Sequence, residues 1–471
     1  MVLKHATRRS FLQVLGLVTG ASLLGCPPGN GGNGGGENGD AENGDGENGN
    51  GTGTVVVRGD VMGSGAGALD SYRTAIDAMK ALASSDPRSW QAQAEIHDNH
   101  CPHGNAFFLP WHRAYLQYFE QVIRAMSGDP GFALPYWNWT TQRTLPPAFW
   151  QGTLNDTTRQ IGPADQMPAS AVGQPVIDAI LAIADFETFG SGFVPSTCTS
   201  DCQRMGVAYG ALEGTPHNIV HGTIGGNMGT FMSPLDPIFW LHHCNVDRLW
   251  MEWNKSFANP TDEYWRTFDF ADNFVDGQGN PVASVIVESL FDTAALGYRY
   301  DTQPVTTGAV GPEPTTASVV AAVEVETPAP APEIGTVLTI PVQLTAEVRE
   351  RLRAPVGVAG AERSVRLSLT GVDTPADPVV VNVYFGGEAA GASPDSPNFV
   401  RSFGFFPAVA SDDPHAHDKV FLFEVGARLA EIADGAALPV HVETVPLRPD
   451  IAPAGAGIRP ESVKIEVLEH A

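Results

Sequence analysis

The chain has 471 residues, 43% of them hydrophobic, and carries 27 Lys and Arg against 53 Asp and Glu, a formal net charge of −26. That length gives room for two to three domains with ordinary cores. The charge argues against nucleic acid as a partner and against an electrostatic hold on an anionic membrane.

Residues 1–26 read as a targeting segment and leave the fold argument. TRRSFL (7–12) has the twin-arginine pattern, and the apolar run 11–24 is too short to span a bilayer comfortably as a helix. LLGC (23–26) is similar to a bacterial lipobox. The expectation is export to the cell envelope, on the periplasmic side, with a lipid on Cys26 as the one membrane attachment. Residues 27–53 hold Gly and Asn with Glu37, Asp40, Glu42, Asp45 and Glu47 and no Lys or Arg. Such a segment has nothing to bury and reads as a disordered tether.

From residue 54 the pattern changes. Residues 70–84 predict a helix with Tyr72, Ile76, Met79 and Leu82 on one side. Residues 90–96 predict a second helix leading into HDNHCPH (97–103), whose histidines His97, His100 and His103 fall in a loop around Pro102. His112 then opens a helix to about residue 126, with Tyr115, Leu116, Phe119 and Ile123 along one apolar side. A second histidine window follows. His217 and His221 are four apart and share a helix face, after Thr215 as N-cap and Pro216 as first helical residue. A further helix, opened by Asp236-Pro237, carries His242 and His243. Neighbours on a helix point about 100° apart, so one of these two can join His217 and His221 on one ion. Eight of the 13 histidines lie in the two windows. Imidazole suits copper, zinc, iron and nickel better than calcium or magnesium, and two windows of three ligands imply two metals. A zinc protease is disfavoured, because Asn218 stands where the glutamate of its HExxH motif would be.

FLPWHRAYL (108–116) with Phe119 and Glu120, and SPLDPIFWLHHCNVDRLW (233–250), resemble the CuA and CuB helices of the tyrosinase and polyphenol oxidase family, the type 3 copper proteins. The resemblance implies a mainly α catalytic domain, a four-helix bundle around two copper ions, with His97, His103 and His112 on CuA and His217, His221 and His243 on CuB. It implies O2 as co-substrate and a small phenol as substrate. The reaction would be o-hydroxylation of monophenols, oxidation of o-diphenols to o-quinones, or both. Catechol oxidase or o-aminophenol oxidase activity without monophenol hydroxylation is the alternative within the class. Reversible O2 binding of the haemocyanin kind is the alternative outside it. Glu213, four residues before His217, and Asn218 match a pair associated in relatives with a water that deprotonates monophenols; a carboxylate-held water can accept that proton. Cys101 resembles the cysteine that some fungal tyrosinases join to a ligand histidine by a thioether, here His103. FALPYWNW (132–139) and GYRY (297–300) resemble family segments, and Arg58 is the candidate to pack on the latter.

The remaining cysteines divide by context. Cys198 and Cys202 can close a short loop by a disulfide or stay reduced, and Cys244 reads as a small buried hydrophobe. Residues 302–334 are Pro-rich and read as a semi-rigid linker after a domain at 54–301. From 335 to 471, short alternating runs separated by Gly, Pro and Asp predict an all-β sandwich. Their order, with VRSFGFFP (400–407), looks like the C-terminal domain of plant polyphenol oxidases, which implies a shield over the copper site.

Overall fold

The computed structural model describes residues 55–197, 206–302, 316–328, 330–353, 362–387, 393–408, 417–426, 438–448 and 455–470, all within one compact unit, Gly53–Ala471. The expectations for 1–26 and 27–53, and for Cys26, Cys198 and Cys202, lie outside these residues. Among the described residues no helix is long and apolar enough to cross a membrane.

The helical part is closed by strand β1 (Val56–Arg58), which pairs in parallel with β3 (Tyr298–Tyr300). Helix α1 (Leu69–Ala81) buries Tyr72, Ala75, Ile76 and Met79, spaced to fall on one face. Helix α2 (Trp90–His100) starts at an N-cap, where Ser89 Oγ accepts from the Ala92 N–H at 3.1 Å. Its buried stripe is Trp90, Gln93, Ala94 and His97. The helix therefore runs four residues past the expected end at 96. His97 is the next position of the core stripe rather than a loop residue, and His100 is exposed.

Helix α3 (Phe108–Ser127) begins one turn earlier than expected. Pro110 is tolerated there because the first N–H groups of a helix have no intrahelical partner. His112 consequently lies in the second turn. The helix stops at Gly128, whose φ of 72° suits a residue without a side chain. Short helices α4 (Ala169–Val172), α5 (Gln174–Leu181) and α6 (Phe186–Phe189) pack along this core. Helix α7 (Asn218–Ile224) is entered through a wide, π-type turn over Glu213–His217. Thr215 and Pro216 sit inside that turn instead of capping a fresh helix. Pro216 has no N–H to give, and a widened turn absorbs the missing bond. Helix α8 (Ile238–Trp253) is buried along nearly all its length, and a short α9 (Glu263–Thr267) follows. The tryptophans Trp111, Trp137, Trp139, Trp240, Trp250, Trp253 and Trp265 are fully buried around these helices. A filled core of this kind gives the histidines fixed, dry walls.

Two sheets make up the β-rich C-terminal part. One has the order β5 (Val337–Val342), β10 (Leu438–Pro446), β7 (Val379–Phe385), β8 (Phe399–Phe403). The other has the order β2 (Ala208–Tyr209), β9 (Lys419–Glu424), β6 (Glu362–Val372), β11 (Ser462–His470), β4 (Ala317–Glu326). Alternate residues of both, among them Val381, Val383, Val440 and Val442 from the first and Leu367, Leu369, Val463 and Ile465 from the second, share one apolar cluster. A helix, α10 (Ala346–Arg353), contacts β4 and β11. Two strands depart from expectation. β4 lies within the span expected to be linker, where prolines on both sides obscure the alternation of Ser318 to Glu326. β2 belongs to the helical part of the sequence yet forms the edge of the C-terminal sheet, paired in parallel with β9. Two residues are too few for periodicity to announce a strand.

Candidate metal centre

Helix α2, the loop after it and helix α3 bring His97, His103 and His112 together, all buried, with one ligand atom from each within 4.8 Å of the others. His97 and His112 face each other through Nε2 at 3.4 Å. His100, the neighbour that competes with His97 in sequence, is exposed at the end of α2. A second buried group holds His217, His221, His242 and His243. Nε2 of His243 lies 3.3 Å from Nε2 of His217 and 3.2 Å from Nε2 of His221. His242 stands beside this convergence. Its ring stacks on His217, centroids 5.4 Å apart, and tilts on Trp139 at 5.1 Å.

In His97, His103, His112, His217 and His221 the other ring nitrogen decides what these contacts mean. His97 Nδ1 is 2.7 Å from the Phe231 carbonyl oxygen, His112 Nδ1 is 2.8 Å from that of Phe108, and His221 Nδ1 is 2.6 Å from that of Met228. A carbonyl oxygen can only accept, so each Nδ1 carries the proton and each Nε2 presents a lone pair. His103 Nδ1 donates to Glu213 Oε1 at 3.0 Å, and its Nε2 is buried without a partner. His217 Nδ1 is held by Asn218 Oδ1 at 2.8 Å. The Nε2 atoms of His97 and His112 thus turn lone pairs towards each other across 3.4 Å, an arrangement that repels unless a cation sits between. Nitrogens about 2.0–2.1 Å from an ion are about 3.4 Å apart in tetrahedral geometry. The residues fit a metal.

Protonation agrees. Burial pushes His112 and His221 down to about 3. Burial, then the neighbouring imidazoles, holds His103, His217 and His243 well below the usual histidine value. Neutral imidazole is the ligand form.

Glu213 and Asn218 each fix one imidazole, a role that sequence reasoning did not give them. Glu213 is fully buried. Its Oε1 accepts from His103 and from the Gly104 N–H at 2.8 Å, and its Oε2 accepts from the Ser191 hydroxyl. Burial pushes its carboxyl up to about 8, against the pull of the Ser191 and Gly104 donors and of Lys419. Asn218 Nδ2 donates to the Gly404 carbonyl at 3.0 Å, in the C-terminal part. Cys101 is buried at the C-cap of α2 and outside any disulfide.

Behind the histidines, one buried carboxylate ties the frame. Asp247, one turn beyond His243, accepts from Arg113 Nε at 2.6 Å, Tyr298 Oη at 2.7 Å and Tyr300 Oη at 2.6 Å. Burial alone would raise its carboxyl; Arg113 and Arg58 outweigh that and hold it below the ordinary value. Arg58 lies 3.6 Å over the Tyr298 ring, the packing expected of it, worth about 0.5–2 kcal/mol. Sequence reasoning missed Asp247, although the spacing His243 to Asp247 puts both on one helix face.

It also missed Phe406. This buried side chain from the C-terminal part lies with its ring centroid 4.5 Å from that of His221 and 4.6 Å from that of His103, one from each cluster. The segment stood out in sequence as FGFFP; which phenylalanine turns inward depends on the tertiary contacts.

Residues 87–182 and 182–256 match the model of the common central domain of tyrosinase. The tyrosinase HcTyr1 of Hahella sp. is 32% identical over 292 residues, 49% of this chain and 60% of that protein. The chloroplastic polyphenol oxidase A1 of Vicia faba is 30% identical over 301 residues, 55% of this chain and 49% of that protein. The alignments thus span about half to three fifths of these relatives' own length. The solved structure of a latent apple tyrosinase matches 88% of this chain and 97% of its own, with a TM-score of 0.66 and 22% identity, a likeness of fold that includes the β-rich part.

Proposed function

We propose that this chain, which belongs to the tyrosinase and polyphenol oxidase family through the central domain at residues 87–256, holds two copper ions and oxidises phenols with O2. The observation that carries the reading is the pair of histidine groups with Nε2 atoms converging at 3.2–3.4 Å. His97, His103 and His112 would hold CuA, and His217, His221 and His243 would hold CuB. When bound, a copper pair supplies O2 activation and accepts electrons from the substrate. The protein's share is geometric. The carbonyls of Phe108, Phe231 and Met228, with Glu213 and Asn218, aim the rings, and the tryptophan core excludes water. Losing such a partner of a ligand commonly costs about 10–100-fold in metal affinity. We read the frame as a bundle of α2, α3, α7 and α8 with a β-sandwich docked on it.

The substrate class follows from what the pocket already accepts. A benzene ring, that of Phe406, sits between His103 and His221. A phenol or catechol is the same ring with one or two hydroxyls. Monophenol hydroxylation needs a group to take the phenolic proton, and a water held by Glu213 and Asn218 is the candidate. Phe406 also makes the C-terminal part a shield, since substrate and Phe406 cannot share the space.

Oxygen uptake by the copper-loaded full chain and by F406G, with a monophenol and then the matching catechol, tests this reading. Uptake with both substrates, faster in F406G, is expected. Uptake with catechol alone would make it a catechol oxidase, and reversible oxygenation without turnover in F406G would make it an oxygen carrier. We also propose export with a lipid anchor at Cys26; equal lipid labelling of the wild type and C26S would end that proposal.

A further inference from the structure

His103 is the one histidine of the first group that lies off a helix, and its backbone is held from an unexpected side. The His103 carbonyl accepts from Gly206 N–H at 2.8 Å, and the Gly104 carbonyl accepts from Ala208 N–H at 2.9 Å. Gly104 takes a φ of 64°, and a Cβ there would come within 2.7 Å of the Gly206 oxygen and 2.9 Å of the Tyr209 ring, so the two segments are pressed together. The strap that grips the loop is therefore 206–209, whose end is β2. β2 pairs in turn with β9, Ala208 opposite Val420 and Tyr209 opposite Phe421. Two side-chain contacts lock the pairing. Phe421 stacks on Tyr209 with centroids 5.2 Å apart, and Lys419 Nζ, fully buried, donates to the Tyr209 hydroxyl at 3.0 Å. A buried ammonium is costly to place and persists where a partner holds it.

We infer that the C-terminal sheet is part of the frame of the metal centre, with Lys419 and Tyr209 as positioning residues for His103. The β-rich part thus acts on the site twice: Phe406 fills the pocket, and β9, through β2, fixes one ligand loop. The two actions are separable. Opening the pocket exposes both ions equally, whereas loosening the strap weakens the group containing His103 alone. The inference rests on the dicopper reading of the site.

The test is the rate at which a chelator removes copper from the full-length holoprotein, followed as copper per chain against time. F406G should speed the loss of both ions together. K419M should speed the loss of one ion about tenfold and leave the other at the wild-type rate, since contacts that orient a ligand are worth about 10–100-fold in affinity. Y209F removes the same hydrogen bond from the other side, keeps the ring stacked on Phe421, and should reproduce K419M if that variant folds poorly. Uniform release of both ions, or wild-type release in both variants, would overturn the inference. A wild type that does not bind two coppers per chain would instead defeat the dicopper reading beneath it.

Discussion

The two histidine groups offer the same chemistry from different frames. In the second, His217 and His221 lie four apart on one helical run and His243 lies on α8, so the spacing of the ligands is set by helix geometry. The C-terminal part touches this group through the Asn218 amide and the Phe406 ring. In the first, His97 and His112 are helical, but His103 hangs on a loop strapped to β2 at the edge of a sheet whose other strands come from residues 317–470. A helix positions a ligand by local rules. A loop needs a partner, and here the partner comes from far along the chain.

The largest effect comes from removing one ligand from each group. H103A and H243A should each lose one copper per chain and all measurable phenol oxidation, read by metal analysis and oxygen uptake. Retention of two ions by either variant would remove that histidine from the ligand set. Next in size, D247N strikes what the groups share, because Asp247 joins α3, α8 and the Tyr298–Tyr300 strand. Taking away one partner of a buried ion pair costs about 3–5 kcal/mol. A denaturant midpoint close to wild type would contradict the account.

Acid should weaken both groups alike. The unfolded chain takes protons on His112 and His221 near pH 6.5, and the folded apoprotein takes them near 3. The lowered values put their contribution to stability in place above pH 6.5, and it is lost as pH falls towards 3. Each imidazole accounts for about 1.4 kcal/mol per pH unit within that window. Denaturant midpoints of the apoprotein at pH 7.5 and 5.5 check this, and equal midpoints would refute it.

Smaller effects sharpen the contrast. E213Q keeps the shape of Glu213 but replaces the carboxyl that accepts from His103 with an amide. It should weaken copper at the first group by about 10–100-fold while sparing the second, and depress monophenol turnover more than diphenol turnover. Equal loss with both substrates would confine Glu213 to holding His103. The smallest effect belongs to His100. It is exposed at the end of α2, so H100A should leave copper content and oxygen uptake unchanged.

What could be read from the amino-acid sequence divides along the same line. The i, i+4 pair His217 and His221, and the apolar side of α3, are local patterns that periodicity reports directly. Helix ends proved harder. α2 runs on through His97 and His100 because the buried stripe of Trp90, Gln93 and Ala94 continues into His97, and the turn before His217 is wide because Pro216 cannot close an ordinary one. β2 has two residues and no pattern, and β4 hid among prolines. Phe406 was visible as part of an aromatic cluster, but its inward turn is fixed by main-chain contacts such as Gly404 N–H to the Gly214 carbonyl at 2.8 Å. Roles that depend on contacts between distant segments leave little trace in local spacing.

Two copper ions, each held by three named imidazoles, underlie the proposed chemistry. Anomalous diffraction at the copper edge from crystals of the copper-loaded full chain tests this arrangement directly. Two peaks are expected, one within bonding distance of Nε2 of His97, His103 and His112 and the other of His217, His221 and His243. A single peak, or a peak bound by His242 in place of His243, would contradict it.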